Sequence, residues 1–152
     1  MSGVVNSSSP CSDMIRIVLD TNIVVSAMLR PGGFPEAALS LAVDRIVQLC
    51  ISQPVLAEYE EVLTRPKLGI DPHKAATALA RIREVSLLVS PSVPVKACTD
   101  PDDNIFLECA GTAGANYLVT GNAAHFPKVW DKTKIVTPRE FLEMIIDTQR
   151  GK

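Results

Sequence analysis

Apolar and polar positions follow two alternating periods along this chain. Short β-branched runs recur at 15–20, 46–52, 87–90, 117–120 and 134–137. Each is bounded by Gly, Pro, Asp, Asn or Ser and reads as a strand buried within a sheet. Between them, apolar residues recur every three or four positions, the period of an amphipathic helix. That spacing predicts helices over 22–29, 35–44, 53–63, 71–85, 102–111 and 138–147. Pro31-Gly32-Gly33 separates the first two helices. Asp71 and Thr137 stand at cap positions, each followed by a proline suited to the first helical turn. Asp20 or Thr21 is the cap candidate for the helix over 22–29. Strands that alternate with helices imply an α/β fold, with a mostly parallel sheet of about five strands and helices on both faces. Neither an internal repeat nor a linker is evident, so residues 14–147 read as one domain. Residues 1–13 read as a flexible leader and 148–152 as a frayed tail.

Composition narrows the functional classes. The chain has 152 residues, 47% of them hydrophobic and few aromatic, enough for one aliphatic core. Lys and Arg number 15 against 17 acids, a formal charge of -2. A strongly basic nucleic-acid binder is thereby excluded. Any RNA contact must use a local basic patch, a metal-bridged phosphate or a partner's surface. Cys11, Cys50, Cys98 and Cys109 form no C-x-x-C pair and read as free thiols in a reducing cytosol, not as a zinc site. No apolar run reaches membrane-spanning length, and the opening residues make a poor signal peptide. The expected location is cytoplasmic.

The chemistry lies in where the acids fall. Asp20 closes the run Ile15-Arg16-Ile17-Val18-Leu19 and is followed by Thr21 and Asn22. In an α/β sheet, ligands bind outside the carboxyl ends of the strands. Glu58 lies one turn into the helix after the second strand, beside the stripe of Val55, Leu56, Tyr59, Val62 and Leu63. Glu61 shares its face and Glu60 does not. Asp100-Pro101-Asp102-Asp103-Asn104 directly precedes the helical run Ile105-Phe106-Leu107. Each group has an ordinary explanation. Acids at a helix start are stabilised by the dipole and by unpaired N–H groups, and a lone helix glutamate is usually solvated. Their combination shifts the balance, because all three map to one edge of the predicted sheet. Three carboxylates together repel unless a cation joins them. Mg²⁺ or Mn²⁺ takes oxygen ligands, and such a site supports phosphodiester hydrolysis.

Four segments in order resemble the PIN-domain family of metal-dependent ribonucleases. The nearest branch is the toxin-type (VapC-like) proteins of toxin–antitoxin pairs. The segments are Ile17-Val18-Leu19-Asp20-Thr21-Asn22, Ser52–Leu63, Asp100–Ala110 and Tyr117-Leu118-Val119-Thr120-Gly121-Asn122. They span nearly all of the expected domain. The resemblance implies a PIN-like three-layer α/β/α sandwich whose metal pocket is formed by Asp20, Glu58 and Asp103. It also implies that Asp100 is an accessory acid of the third motif, and that Thr21 and Asn22 orient Asp20 or a water. Thr120 and Asn122 would position a water or a phosphate oxygen. The sequence departs from the family at Asn122, which stands where an acid is often found. His125 follows; it is either a proton shuttle or, as favoured here, a residue that packs beside Phe126. The family further implies an antitoxin partner and a homodimer.

Taken together, these features predict a Mg²⁺- or Mn²⁺-dependent endonuclease that cuts single-stranded RNA, the toxin of a toxin–antitoxin pair. Arg30, Arg65, Lys67 and Lys128 are candidates for phosphate contacts, and no aromatic platform for bases is evident. The alternative is a degenerate PIN domain that binds RNA or a protein partner without cutting. A nucleotide-binding module is disfavoured because the stretch 20–29 has no glycine. An aspartyl phosphatase is disfavoured because Asn22 replaces the second acid such enzymes carry.

Overall fold

The structure, a computed structural model, describes residues 14–96 and 101–150. Six strands form one sheet. They are β1 (Arg16–Leu19), β2 (Gln48–Ile51), β3 (Leu87–Leu88), β4 (Tyr117–Val119), β5 (Val129–Trp130) and β6 (Thr133–Val136). The helices are α1 (Thr21–Leu29), α2 (Phe34–Val43), α3 (Gln53–Leu63), α4 (Pro72–Val85), α5 (Asn104–Ala113) and α6 (Pro138–Arg150). The sheet order is β3-β2-β1-β4-β6-β5. Every pairing is parallel except β5 with β6. Helices pack against the sheet in a three-layer α/β/α sandwich. On the sheet, α5 lies against β1, β2 and β4, α6 against β4 and β6, and α4 against β2.

Local chemistry accounts for most element ends. Asp71 caps α4 by accepting from the His73 N–H at 2.9 Å. At α6, the Thr137 hydroxyl accepts from the Glu140 N–H and the Glu140 carboxylate accepts from the Thr137 N–H, a reciprocal capping box. Ser52 caps α3 by accepting from the Val55 N–H. Gly114 ends α5 at φ 64°, a left-handed conformation that favours glycine.

Three features depart from the sequence expectation. The sheet has six strands, because Val129–Trp130 turns back onto β6 through Asp131 at φ 54°. A two-residue strand is too short to show a period. The acid cluster forms a 3₁₀ turn over Pro101–Asp103, so α5 starts at Asn104. The last helix continues to Arg150, and Thr148 donates to the Met144 carbonyl inside the expected tail.

The core is aliphatic. Ile17, Val18, Leu19, Leu49 and Leu118 are fully buried on the central strands, and Phe106, Leu107 and Phe141 come from the helices. Cys50 and Cys109 are buried free thiols, and burial raises the affinity of both for their protons. Cys11 and Cys98 lie outside the described residues. Among the described residues, no helix is long and apolar enough to cross a membrane.

One buried polar contact ties α3 to β1. The Tyr59 hydroxyl donates to the Leu19 carbonyl at 2.5 Å, and Tyr59 is fully buried. Burial holds the phenol protonated, so it remains a donor. Tyr59→Phe should cost about 1–3 kcal/mol of stability in urea unfolding, the penalty for a buried carbonyl that loses its partner.

Candidate active site at the switch point of the sheet

β2 lies on one side of β1 and β4 on the other, so the chain reverses its direction of travel across the sheet at the β1–β4 junction. Two connections diverge there and leave a crevice beyond the carboxyl ends of both strands. Asp20 follows the end of β1 and Thr120 the end of β4. The register pairs Leu19 with Val119, which sets the next two residues side by side. The Thr120 hydroxyl donates to Asp20 Oδ2 at 2.7 Å. Asn22 Nδ2 donates to the same oxygen at 3.2 Å. Asn22 Oδ1 accepts from the Gly121 N–H at 3.3 Å, and Thr120 Oγ1 accepts from the Asn122 N–H at 2.9 Å. Asp20, Asn22, Thr120 and Asn122 thus form one hydrogen-bonded group.

Asp20 occupies the cap position of α1, yet its side chain makes no capping hydrogen bond. Asp103 occupies the cap position of α5 and makes none either. Asp103 lies on the His125 side of the crevice, with His125 Nδ1 3.9 Å from Asp103 Oδ2. The imidazole is well exposed, while Phe126 beside it is buried. His125 faces the acids, so the expectation that it merely packs beside Phe126 is corrected. Glu58 is half-buried on α3, where Val55, Tyr59 and Leu63 are buried and fix the helix against the sheet.

Electrostatics join the groups. Burial raises the Asp20 carboxyl above its usual range, against the opposing effects of the Thr120 hydroxyl, the nearby N–H groups of Asn22 and Thr21, and His125. Burial also raises Glu58, and the carboxylates of Glu61, Asp102 and Asp20 push it the same way against Arg65. Glu58 therefore feels acids from both β1 and the 3₁₀ turn. Glu61 and Glu60 are held elsewhere, in ion pairs with Arg65 and Arg83. Thr21 Oγ1 is buried without a hydrogen-bond partner among the described residues.

Electrostatic coupling links Asp20 with Glu58 and with His125, which lies by Asp103, but the acids do not form a closed cage. Among the described residues, no three His, Cys, Asp or Glu side chains stand close enough to hold a metal ion. Mutual repulsion among uncompensated carboxylates opposes such an approach. Asp100 lies outside the described residues.

The sequence pattern of the PIN domain matches residues 16–124. This chain belongs to the PIN-domain family. The matched span runs from β1 to the turn after β4 and contains Asp20, Glu58, Asp103, Thr120 and Asn122. A further relative is Uncharacterized protein MJ1680 of Methanocaldococcus jannaschii, 28% identical over 141 residues, covering 85% of this chain and 90% of the relative. Among solved structures, a chain of VapBC2 from Rickettsia felis, crystallised with a DNA fragment from their promoter, shares the fold. Its TM-score is 0.55 at 18% identity, covering 80% of this chain and 97% of that one.

One part of this PIN domain's site escaped the sequence reading, and another was given the lesser of two roles there. The Asp102 carboxylate adds to the upward push on Glu58, which a cap residue read from sequence does not suggest. His125 reaches Asp103; its spacing from Asp20 and Asp103 carries no local signal, and only the order Thr-Gly-Asn-x-x-His pointed to it. Of the cations considered for phosphate contact, Arg65 is engaged by Glu61, whereas Arg30, Lys67 and Lys128 are exposed.

The raised carboxyls set a pH dependence for the metal-free protein. Asp20 and Glu58 bind protons more tightly when folded than at their ordinary values of 3.8 and 4.5. Their contribution to stability is then greatest below those values and is lost as pH rises through the raised ones. Asp20→Asn keeps an acceptor for Thr120 and removes the buried charge. In chelator at neutral pH it should melt about 2–4 °C higher than wild type, the shift that about 1 kcal/mol produces in a chain of this size. The difference should vanish near pH 4, as followed by circular dichroism.

Proposed function

We propose that this PIN domain is a metal-dependent endoribonuclease that cuts single-stranded RNA and serves as the toxin of a toxin–antitoxin pair. The observation that supports the reading is the Asp20 carboxylate at the switch-point crevice, oriented by Thr120 and Asn22 and electrostatically coupled to Glu58, which also feels Asp102. The general activity of PIN domains as nucleases supports it.

The donor chemistry of these residues suits a hard divalent cation. The candidate donors are all oxygens, as Mg²⁺ and Mn²⁺ require. The buried Thr21 hydroxyl lacks a partner beside Asp20, and the raised Asp20 and Glu58 carboxyls describe negative charge awaiting compensation. Asp20, Glu58 and Asp103 would hold the ion, with waters completing a shell that the three side chains do not close alone. When bound, the ion supplies charge neutralisation at the phosphate and a lowered pKa for the attacking water.

The chain's own groups do the rest. Thr120 and Asn22 fix the Asp20 carboxylate in one orientation. Asn122 meets a phosphate oxygen or the water, and it adds no charge where an acid is often found. Asp103 is the partly exposed carboxylate and takes the proton of the attacking water. His125, beside it and open to solvent, relays that proton outward.

The antitoxin reading draws on the likeness to a VapBC2 chain. A cytoplasmic location and a homodimer complete the proposal. Co-expression with the product of an adjacent small gene should yield a complex that no longer cuts RNA.

Cleavage of a labelled single-stranded RNA with Mn²⁺ or Mg²⁺, with and without chelator, tests the nuclease. Wild type should cut only with metal, and Asp20→Asn and Asp103→Asn should each lose at least about 100-fold in rate. Mn²⁺ at a hundred times its Kd should add about 2.7 kcal/mol to wild-type stability. Asp20→Asn should abolish that gain. Clean wild-type protein that neither cuts nor is stabilised by metal would establish the binding-only PIN domain instead.

A further inference from the structure

A pocket of about 480 Å³ opens between the start of α1, the start of α2, the turn after β4 and the start of α6. Its volume falls within the ~300–1,000 Å³ of small-ligand sites. Phe34 and Arg139 line it, together with Asn22, Ser26, Asn122 and Thr137. Phe34 is 52% exposed, an unusual position for a large aromatic side chain in a domain with so few. Arg139 is 71% exposed and pairs with Glu143 at 3.5 Å, a surface pair that costs little to break.

The pocket is continuous with the candidate active site through shared residues. Asn22 forms part of its wall and donates to Asp20 Oδ2. Asn122 is also in the wall, and its N–H reaches the Thr120 hydroxyl that holds Asp20. Gly121 lines the pocket as well, and a side chain there would first meet Asn22. A group seated in the pocket is therefore separated from the Asp20 carboxylate by a single side chain.

We propose that this pocket is the subsite for one nucleotide of a single-stranded RNA, adjacent to the phosphate that is cut. Phe34 stacks on the base. Asn22, Ser26 and Asn122 offer donors and acceptors to its edge or to the ribose. Arg139 meets a flanking phosphate. The inference rests on the nuclease reading and extends it, because it assigns base contact to a platform that the sequence did not reveal. Stacking tolerates every base, whereas amide and hydroxyl groups at the edge discriminate among them.

The test uses the full chain and a fluorescent single-stranded RNA, with two independent readouts. Anisotropy in chelator reports binding without cutting, and initial rates in Mn²⁺ report kcat and KM. Phe34→Ala should weaken binding about tenfold and raise KM about as much, with kcat nearly unchanged. Phe34→Trp should restore both. Arg139→Gln should weaken binding and reduce its dependence on salt. Wild-type cutting with an unchanged KM and unchanged binding in Phe34→Ala would overturn the subsite and leave the nuclease standing. Wild-type binding that Phe34→Ala abolishes, without any cutting, would support the subsite and reject the nuclease. Absence of RNA binding by wild type in both chelator and Mn²⁺ would overturn the subsite.

Discussion

The parallel pairing of β1 with β4 is the constraint on which the site depends. It sets Leu19 against Val119 and therefore brings Asp20 and Thr120 together just beyond the sheet. Neither strand could supply this arrangement alone, because the two contacting residues lie a hundred positions apart in sequence. The chain leaves β1 toward β2 and arrives at β4 from the other half of the fold. The crevice is a product of that topology, and its floor is as rigid as the buried strands beneath it. Tyr59 extends the same restraint to α3 by binding the Leu19 carbonyl, so Glu58 is carried on a helix anchored one residue from Asp20.

This construction places carboxylates where water solvates them poorly. A structure built for stability alone would replace Asp20 with an apolar residue or pair it with a base. Here the neighbours of Asp20 are a hydroxyl and an amide, which orient the carboxylate without neutralising it. Natural folds tolerate such local conflict where function requires it, and the surrounding core offsets the cost. The fully buried aliphatic strands and the caps at Ser52, Asp71 and Thr137 supply that support.

The sequence was most informative where local physics governs. Prolines after Asp71 and Thr137 marked two helix starts because a cap followed by a fixed φ leaves little alternative. Both ends of the helix over Gln53–Leu63 were legible, from Pro54 in its first turn and Thr64-Arg65-Pro66 after it, whereas the Ser52 cap was read as the end of the preceding strand. Asp20 could be placed at the end of the first strand from the pattern of the chain alone, and the structure sets it beside Thr120 there. Features that depend on contacts distant in sequence were not legible. β5 exists because β6 is there to pair with, and Val129 and Trp130 carry no periodic signal. Phe34 sits beside Pro35 at a helix start, and only the fold shows that it is left half outside. His125 and Arg139 look like ordinary loop and helix-start residues until α6 and the turn after β4 are brought toward α1.

The two outermost strands lead to a different conclusion. β3 and β5 are each two residues long among the described residues, and they form the opposite borders of the sheet. Borders this short offer almost no backbone ladder for an incoming chain to extend. Growth of the sheet by strand addition, whether into fibrils or onto a binding partner, is closed off at both sides. Recognition of the described part of this domain then falls to side chains displayed on helices and turns, where single substitutions can alter it while the sheet stays unchanged.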